Sequence, residues 1–150
     1  MVKICLACSA GGHLKQLLEL DSIWKKYDNF IVTYERENTK KLAKKREVYI
    51  IENPERDPFC ILKSFIQSLR IFLKEKPDLI VADGAGISIP ISIVGKIFRR
   101  KLIFIESFSR ITEPSMTGRI LYPFADLFLV QWKPLLKKYG KKAIYSGGIF

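Results

Sequence analysis

Seven short apolar runs, at residues 2–8, 30–34, 48–51, 79–82, 102–105, 127–131 and 143–145, alternate along the chain with segments of helical periodicity. The helical segments fall at 13–26, 38–45, 59–74, 87–98 and, shorter, 134–139. Several of the runs are continuous apolar blocks, without the polar–apolar alternation of a strand that faces water on one side. Burial on both faces is what a parallel sheet covered by helices demands. The alternation therefore predicts an α/β fold, a doubly wound Rossmann-like parallel sheet. With 150 residues and no repeat, low-complexity linker or composition shift, the chain reads as a single domain over 1–150.

In a sheet of this kind the ligand crevice lies beyond the carboxyl ends of the strands. The residues just after each apolar run are thus the ones to examine: 9–13, 83–86, 106–110 and 132. In the first of these, Ser9-Ala10-Gly11-Gly12-His13 joins strand to helix, and Gly11 and Gly12 have no side chain to block a phosphate or diphosphate at the helix N-terminus. The spacing matches neither the dinucleotide fingerprint nor the phosphate-loop pattern. His13 is the only histidine of the chain, and a neutral imidazole here suits a general base on a sugar hydroxyl, the alternative being a helix-capping or core residue. Asp83-Gly84-Ala85-Gly86 is a second glycine turn at the same crevice, either admitting another phosphate or a sugar ring, or making a tight turn with Asp83 as a cap. Glu106 can accept a proton or hold sugar hydroxyls, and Arg110 can pair with a phosphate, unless the two bridge each other. Glu113 is a weaker carboxylate candidate. Trp132 offers a flat face to a sugar or a partner protein, or is simply buried.

Charge and cysteines bound the partners. Lys and Arg number 26 against 15 Asp and Glu, a net +11 that attracts polyanions or an anionic membrane leaflet, or else belongs to a solvated lysine-rich surface. No unbroken basic tail and no nucleic-acid-binding motif is present, so nucleic acid is not an expected partner. Cys5 and Cys8 lie in the first strand, pointing to alternate faces, and with Cys60 read as reduced thiols of a cytosolic protein. No His/Cys/Asp cluster has metal-ligand spacing, no cofactor is implied, and no apolar run approaches the roughly 20 residues of a spanning helix.

Two helical segments bear on membranes. In 59–74, Leu62, Phe65, Ile66, Leu69, Phe72 and Leu73 form one apolar face flanked by Lys63, Arg70 and Lys74, read here as covering the sheet, the alternative being a membrane role. The segment 87–94 is apolar and ends in Lys96, Arg99, Arg100 and Lys101, as expected either of a central packed helix or of one dipping into a bilayer interface.

Taken together, Ser9 to Leu14, Asp83 to Gly86, Ile105 to Arg110 and Leu121 to Trp132 resemble the acceptor-side subunit of split GT-B glycosyltransferases. That family includes half of the enzyme that adds the second N-acetylglucosamine to dolichol-diphosphate-N-acetylglucosamine, and bacterial relatives of capsule and exopolysaccharide assembly. The resemblance implies the N-terminal half of a GT-B enzyme, binding a polyprenyl-diphosphate-linked sugar at the membrane while a separate donor-binding subunit holds a UDP-sugar. It implies His13 or Glu106 as base, Ser9, Gly11, Gly12, Asp83, Gly84, Gly86 and Arg110 around the acceptor, Trp132 against sugar or partner, and no essential metal. The membrane anchor of eukaryotic members is not found here, so a peripheral position on the inner face of the cell membrane is expected, through a surface such as the 87–98 helix. The chain ends at Gly147-Gly148-Ile149-Phe150, about where a single-chain relative would pass into its donor domain. A non-catalytic membrane scaffold that recruits and activates the partner transferase is the alternative.

Overall fold

The computed structural model describes residues 1–149; Phe150, the last residue of the terminal segment just mentioned, lies outside the described residues. In chain order the elements are β1 (Lys3–Cys8), α1 (Gly12–Glu19), α2 (Asp21–Trp24), β2 (Asp28–Thr33), α3 (Glu37–Ala43), β3 (Val48–Ile50) and α4 (Pro58–Glu75). They continue with β4 (Leu79–Asp83), α5 (Ser88–Ile97), β5 (Lys101–Ile105), α6 (Met116–Leu121), β6 (Leu127–Val130), α7 (Pro134–Tyr139) and β7 (Ala143–Tyr145). The strands form one sheet in the order β3-β2-β1-β4-β5-β6-β7, with every pairing parallel. This is the doubly wound Rossmann-like arrangement the apolar blocks predict.

Strand periodicity sorts the core onto two faces. Cys5 and Ala7 of β1 join Phe30, Val32, Ile80, Ala82, Phe104 and Phe128 under α4, α5 and α7. Ile4, Leu6 and Cys8 join Ile31, Val81 and Ile105 under Leu14 and Leu17 of α1 and Trp24 of α2. Both strand cysteines are buried free thiols, and burial raises their pKa, which keeps them inert.

Three helical readings change. The 13–26 segment is broken at Leu20, whose backbone N–H bonds back to Leu17 and so ends α1, while α2 begins at Asp21. α6 has no counterpart in the sequence reading: its signal is the Pro114-Ser115 pair, with Ser115 Oγ accepting from Gly118 N at 2.8 Å as an N-cap. The third change concerns exposure. α5 is a central packed helix, with Ser88, Pro90, Ile91, Ser92, Val94 and Gly95 buried, and so does not offer its length to a bilayer. α4 does the opposite of covering the sheet with its whole apolar face. Ser64, Ser68, Ile71 and Phe72 turn inward, whereas Phe59, Leu62, Ile66, Leu69 and Leu73, spaced three and four apart, form an outward stripe. They are 82, 60, 45, 39 and 51% exposed. Ile97 and Phe98 at the end of α5 are also exposed, and Phe98 stacks on the inward-facing Phe72 of α4 at 4.7 Å. No helix among the described residues is long and apolar enough to cross a membrane.

Candidate active site

The order of strands places the switch point between β1 and β4, since the chain leaves β1 toward β2 on one side and returns through β4 on the other. Cys8 is level with Asp83, and Asp83 with Ile105, so the loops after β1, β4 and β5 leave the sheet side by side. Neighbouring strands lie about 4.8 Å apart, which brings residues far apart in sequence within side-chain reach.

His13 and Asp83 meet there, with Nδ1 of the imidazole 3.0 Å from Asp83 Oδ1. Asp83 is fully buried. Burial raises its carboxyl pKa, the His13 bond pulls it back, and the Glu106 charge raises it again. An ionised carboxylate only accepts, so the bond fixes the proton on Nδ1 and leaves Nε2 as the basic nitrogen. The ring is also seated on Gly84, which has φ +46°; a Cβ there would stand 2.5 Å from His13 Cε1, 2.9 Å from Nδ1 and 3.0 Å from Ser107 Cβ. Glycine is required on both counts, strain and space. Gly84→Ala is expected to leave the sheet folded and push His13 off Asp83, seen as a lost histidine–carboxylate NMR signature at little cost in secondary structure.

A cleft of about 260 Å³ opens over this pair, lined by Gly12, His13, Gln16, Ser107, Phe108 and Ser109. The N-terminus of α1, behind Gly11, enters this end of the sheet without a side-chain cap and without an acidic residue in the first turn, whereas that of α5 is closed: Ser88 N–H bonds Ala85 O at 2.9 Å, Ile89 N–H bonds Gly86 O at 3.1 Å, and Pro90 has no N–H. Likewise α4 is capped by Asp57 and α6 by Ser115. Uncapped first-turn N–H groups and the positive end of the helix dipole suit an anion. Two buried side-chain atoms at the site have no hydrogen-bond partner among the described residues, the donor Gln16 Nε2 and the acceptor Asp83 Oδ2.

Glu106 follows β5 but turns away from the cleft. It is fully buried, with Oε1 accepting from Ser107 N at 2.8 Å and Oε2 accepting from Ser115 N at 3.1 Å, from Ser115 Oγ at 3.0 Å and from the Tyr139 hydroxyl. Burial, and then the carboxylate itself, raises the Tyr139 phenol above its usual range, so it stays a donor. Glu106 thus ties the 106–115 loop to α6 and α7, and its oxygens are engaged by protein donors. It forms no ion pair with Arg110, which is exposed further along the loop, while Glu113 pairs with Lys138 at 2.9 Å. The anchor needs Gly118, where a Cβ would lie 2.0 Å from the Tyr139 hydroxyl and 2.6 Å from Glu106 Oε2. Gly118→Ala is expected to cost about 1–3 kcal/mol, seen as a lower urea midpoint with unchanged slope.

Trp132 is half-buried, donating Nε1–H to Phe108 O at 2.7 Å with its ring 5.2 Å from that of Phe108. It braces the cleft wall. Gly11 opens on a neighbouring groove between α1 and α3, Gly86 on one between α4, α5 and α6, and Ser9 sits half-buried before the first turn. Among the described residues no group of three or more His, Cys, Asp and Glu side chains is placed to hold a metal ion. The sequence reading missed Gln16, whose position one turn after Gly12 was the available signal; the cleft residues Ser107, Phe108 and Ser109 lie within the 106–110 stretch it marked, where it gave roles only to Glu106 and Arg110.

Residues 26–149 match the family described as oligosaccharide biosynthesis protein Alg14 like. The chain belongs to the Alg14-like family. It is 36% identical over 98 residues to the UDP-N-acetylglucosamine transferase subunit alg14 of Schizosaccharomyces pombe, covering 60% of this chain and 46% of that protein. It is likewise 36% identical over 97 residues to the subunit ALG14 of Homo sapiens, covering 61% of this chain and 44% of that one. The matched part spans less than half the length of either relative. Among solved structures, MurG of Acinetobacter baumannii superposes with a TM-score of 0.79 at 13% identity, covering 99% of this chain and 46% of that one. UDP-N-acetylglucosamine 2-epimerase of Rickettsia bellii does so with 0.78 at 15% identity, covering 99% of this chain and 45% of that one. At such identities the likeness is one of fold.

Proposed function

We propose that the protein is the acceptor-binding subunit of a two-component glycosyltransferase that uses a UDP-sugar held by a partner and a polyprenyl-diphosphate-linked sugar presented at a membrane. The observation that carries this is His13, held by Asp83 and seated on Gly84 in the uncapped first turn of α1. The reading gains support from family relatives named as UDP-N-acetylglucosamine transferase subunits.

The acceptor diphosphate sits on the first turn of α1, where N–H donors and the dipole end stabilise its charge. Gln16 Nε2, a buried donor of the site with no protein partner among the described residues, is the side-chain group that donates to it. His13 Nε2 takes the proton of the acceptor hydroxyl as that oxygen attacks C1 of the donor sugar; the C1–O bond to UDP breaks, and UDP leaves on the partner. Most of the acceleration comes from placing the hydroxyl in line and stabilising charge, with proton transfer adding to it. Asp83 orients His13, Glu106 holds the loop, Arg110, exposed directly after the cleft residues Ser107 to Ser109, serves the distal phosphate, and Trp132 backs Phe108. Membrane contact is assigned to the α4 stripe and not to α5, with Lys63, Arg70 and Lys74 of the same helix near anionic headgroups.

The test is co-expression with a donor-binding glycosyltransferase subunit, then assay of transfer from several UDP-sugars to a synthetic polyprenyl-diphosphate-sugar. Transfer that requires both chains is expected. A stable complex that uses no donor overturns the reading.

A further inference from the structure

The turn Gly84-Ala85-Gly86 separates two recesses. On one side Gly84 carries the His13 ring; on the other Gly86 closes one end of a groove of about 300 Å³ between α4, α5 and α6. Pro54, Ile61, Phe65, Ile89, Pro90 and Ile120 supply most of its wall, and only Glu55 and Thr117 among its lining residues carry a polar side-chain group. A sugar, a nucleotide or a peptide backbone placed there would lose hydrogen bonds to water with few replacements, which costs free energy; a hydrocarbon loses none.

We infer that this groove takes the first, protein-proximal part of the branched hydrocarbon chain of the acceptor, so that the subunit recognises the lipid as well as its anionic head. The inference rests on the functional reading above and deepens it by naming what distinguishes the substrate. Position is the first argument. The turn is three residues long, at most about 10 Å when extended, so a head held beside His13 on Gly84 has its chain attachment within reach of the groove mouth at Gly86. Continuity is the second. The rim residues Ile61, Met116 and Ile120 are 37, 68 and 40% exposed, and Ile61 adjoins Leu62 of the outward α4 stripe. A chain leaving the groove therefore passes onto the surface assigned to the bilayer without crossing open water.

The experiment uses the reconstituted pair without vesicles, so that partition into a bilayer plays no part. Two acceptors carry the same sugar diphosphate, one with a short isoprenoid chain kept below its micelle concentration, the other a methyl ester. The wild type is expected to show a KM at least about tenfold lower for the chain-bearing acceptor, the effect of burying a few hydrocarbon groups. Ile120→Trp, which fills the groove from its rim, and Ile61→Glu, which makes it polar, are each expected to raise that KM toward the methyl ester value. They should leave kcat, the methyl ester KM and the thermal midpoint unchanged. Equal KM values of the wild type for the two acceptors overturn the groove assignment while transfer itself persists, as do variants that shift both KM values alike. Transfer to neither acceptor by the wild-type pair overturns the functional reading, and the groove with it.

Discussion

His13→Ala lowers sugar transfer by the reconstituted pair about 10²–10⁴-fold, the range expected for loss of a positioned general base. The effect falls on kcat more than on the KM for acceptor, because the α1 turn proposed to hold the diphosphate presents backbone groups that survive the change. His13→Gln separates base strength from packing: glutamine keeps a polar side chain able to meet Asp83 yet has no basic nitrogen, so its rate should fall as far as that of alanine. Asp83→Asn leaves the base in place but takes away the carboxylate that fixes its tautomer, and is expected to give a smaller loss, again in kcat. The readout is steady-state kinetics on complexes of verified stoichiometry. Unchanged turnover of His13→Ala with an intact complex would show that this subunit is a scaffold and that the chemistry belongs to its partner.

Leu62→Glu combined with Leu69→Glu abolishes binding to vesicles containing anionic lipid, with an expected loss of at least about tenfold per site. Each change removes a side chain whose transfer out of water is worth about 1.5–3 kcal/mol and puts a charge on the outward stripe proposed to meet the bilayer, where it would oppose both hydrocarbon and anionic headgroups. The folded state is nearly indifferent. Both residues point outward, at 60 and 39% exposure, and surface changes of this kind normally stay within about 0.5 kcal/mol. A sedimentation assay against vesicles with and without anionic lipid separates the two forces: wild-type binding should weaken with salt through screening of the basic residues, and the apolar part should remain. Equal binding by wild type and double variant would remove α4 from the membrane.

The two forces also explain why α4 was misread. Its apolar residues are too numerous for one face of a helix on a sheet, and periodicity reports only that they share a side. Phe65 and Phe72 pack inward while Leu62, Ile66, Leu69 and Leu73 do not, and the choice is made by Ser64 and Ser68, small residues that are fully buried where the helix meets its neighbours. The rotation of an amphipathic helix about its own axis is a packing outcome, and it became visible only when α5 was in place beside it. The same holds for Glu106. Its place after β5 marked it as a crevice residue, but the hydroxyls of Ser115 and Tyr139, 9 and 33 residues away, draw its carboxylate to the other side of the loop.

The architecture, by contrast, was written in local order. Continuous apolar blocks ended by Ser9-Ala10-Gly11-Gly12 and by Asp83-Gly84-Ala85-Gly86 determine a parallel sheet with glycine turns at the carboxyl ends of β1 and β4, because burial on both faces and close backbone approach are each satisfied by few residue types. Composition and spacing determined as much about His13: a lone imidazole behind a glycine turn at a helix start. Tertiary structure alone decided its chemistry. The hydrogen bond to Asp83, the seat on Gly84 and the exposure of one helix face depend on which strands become neighbours, and strand order is fixed by long-range packing that no local stretch of sequence encodes.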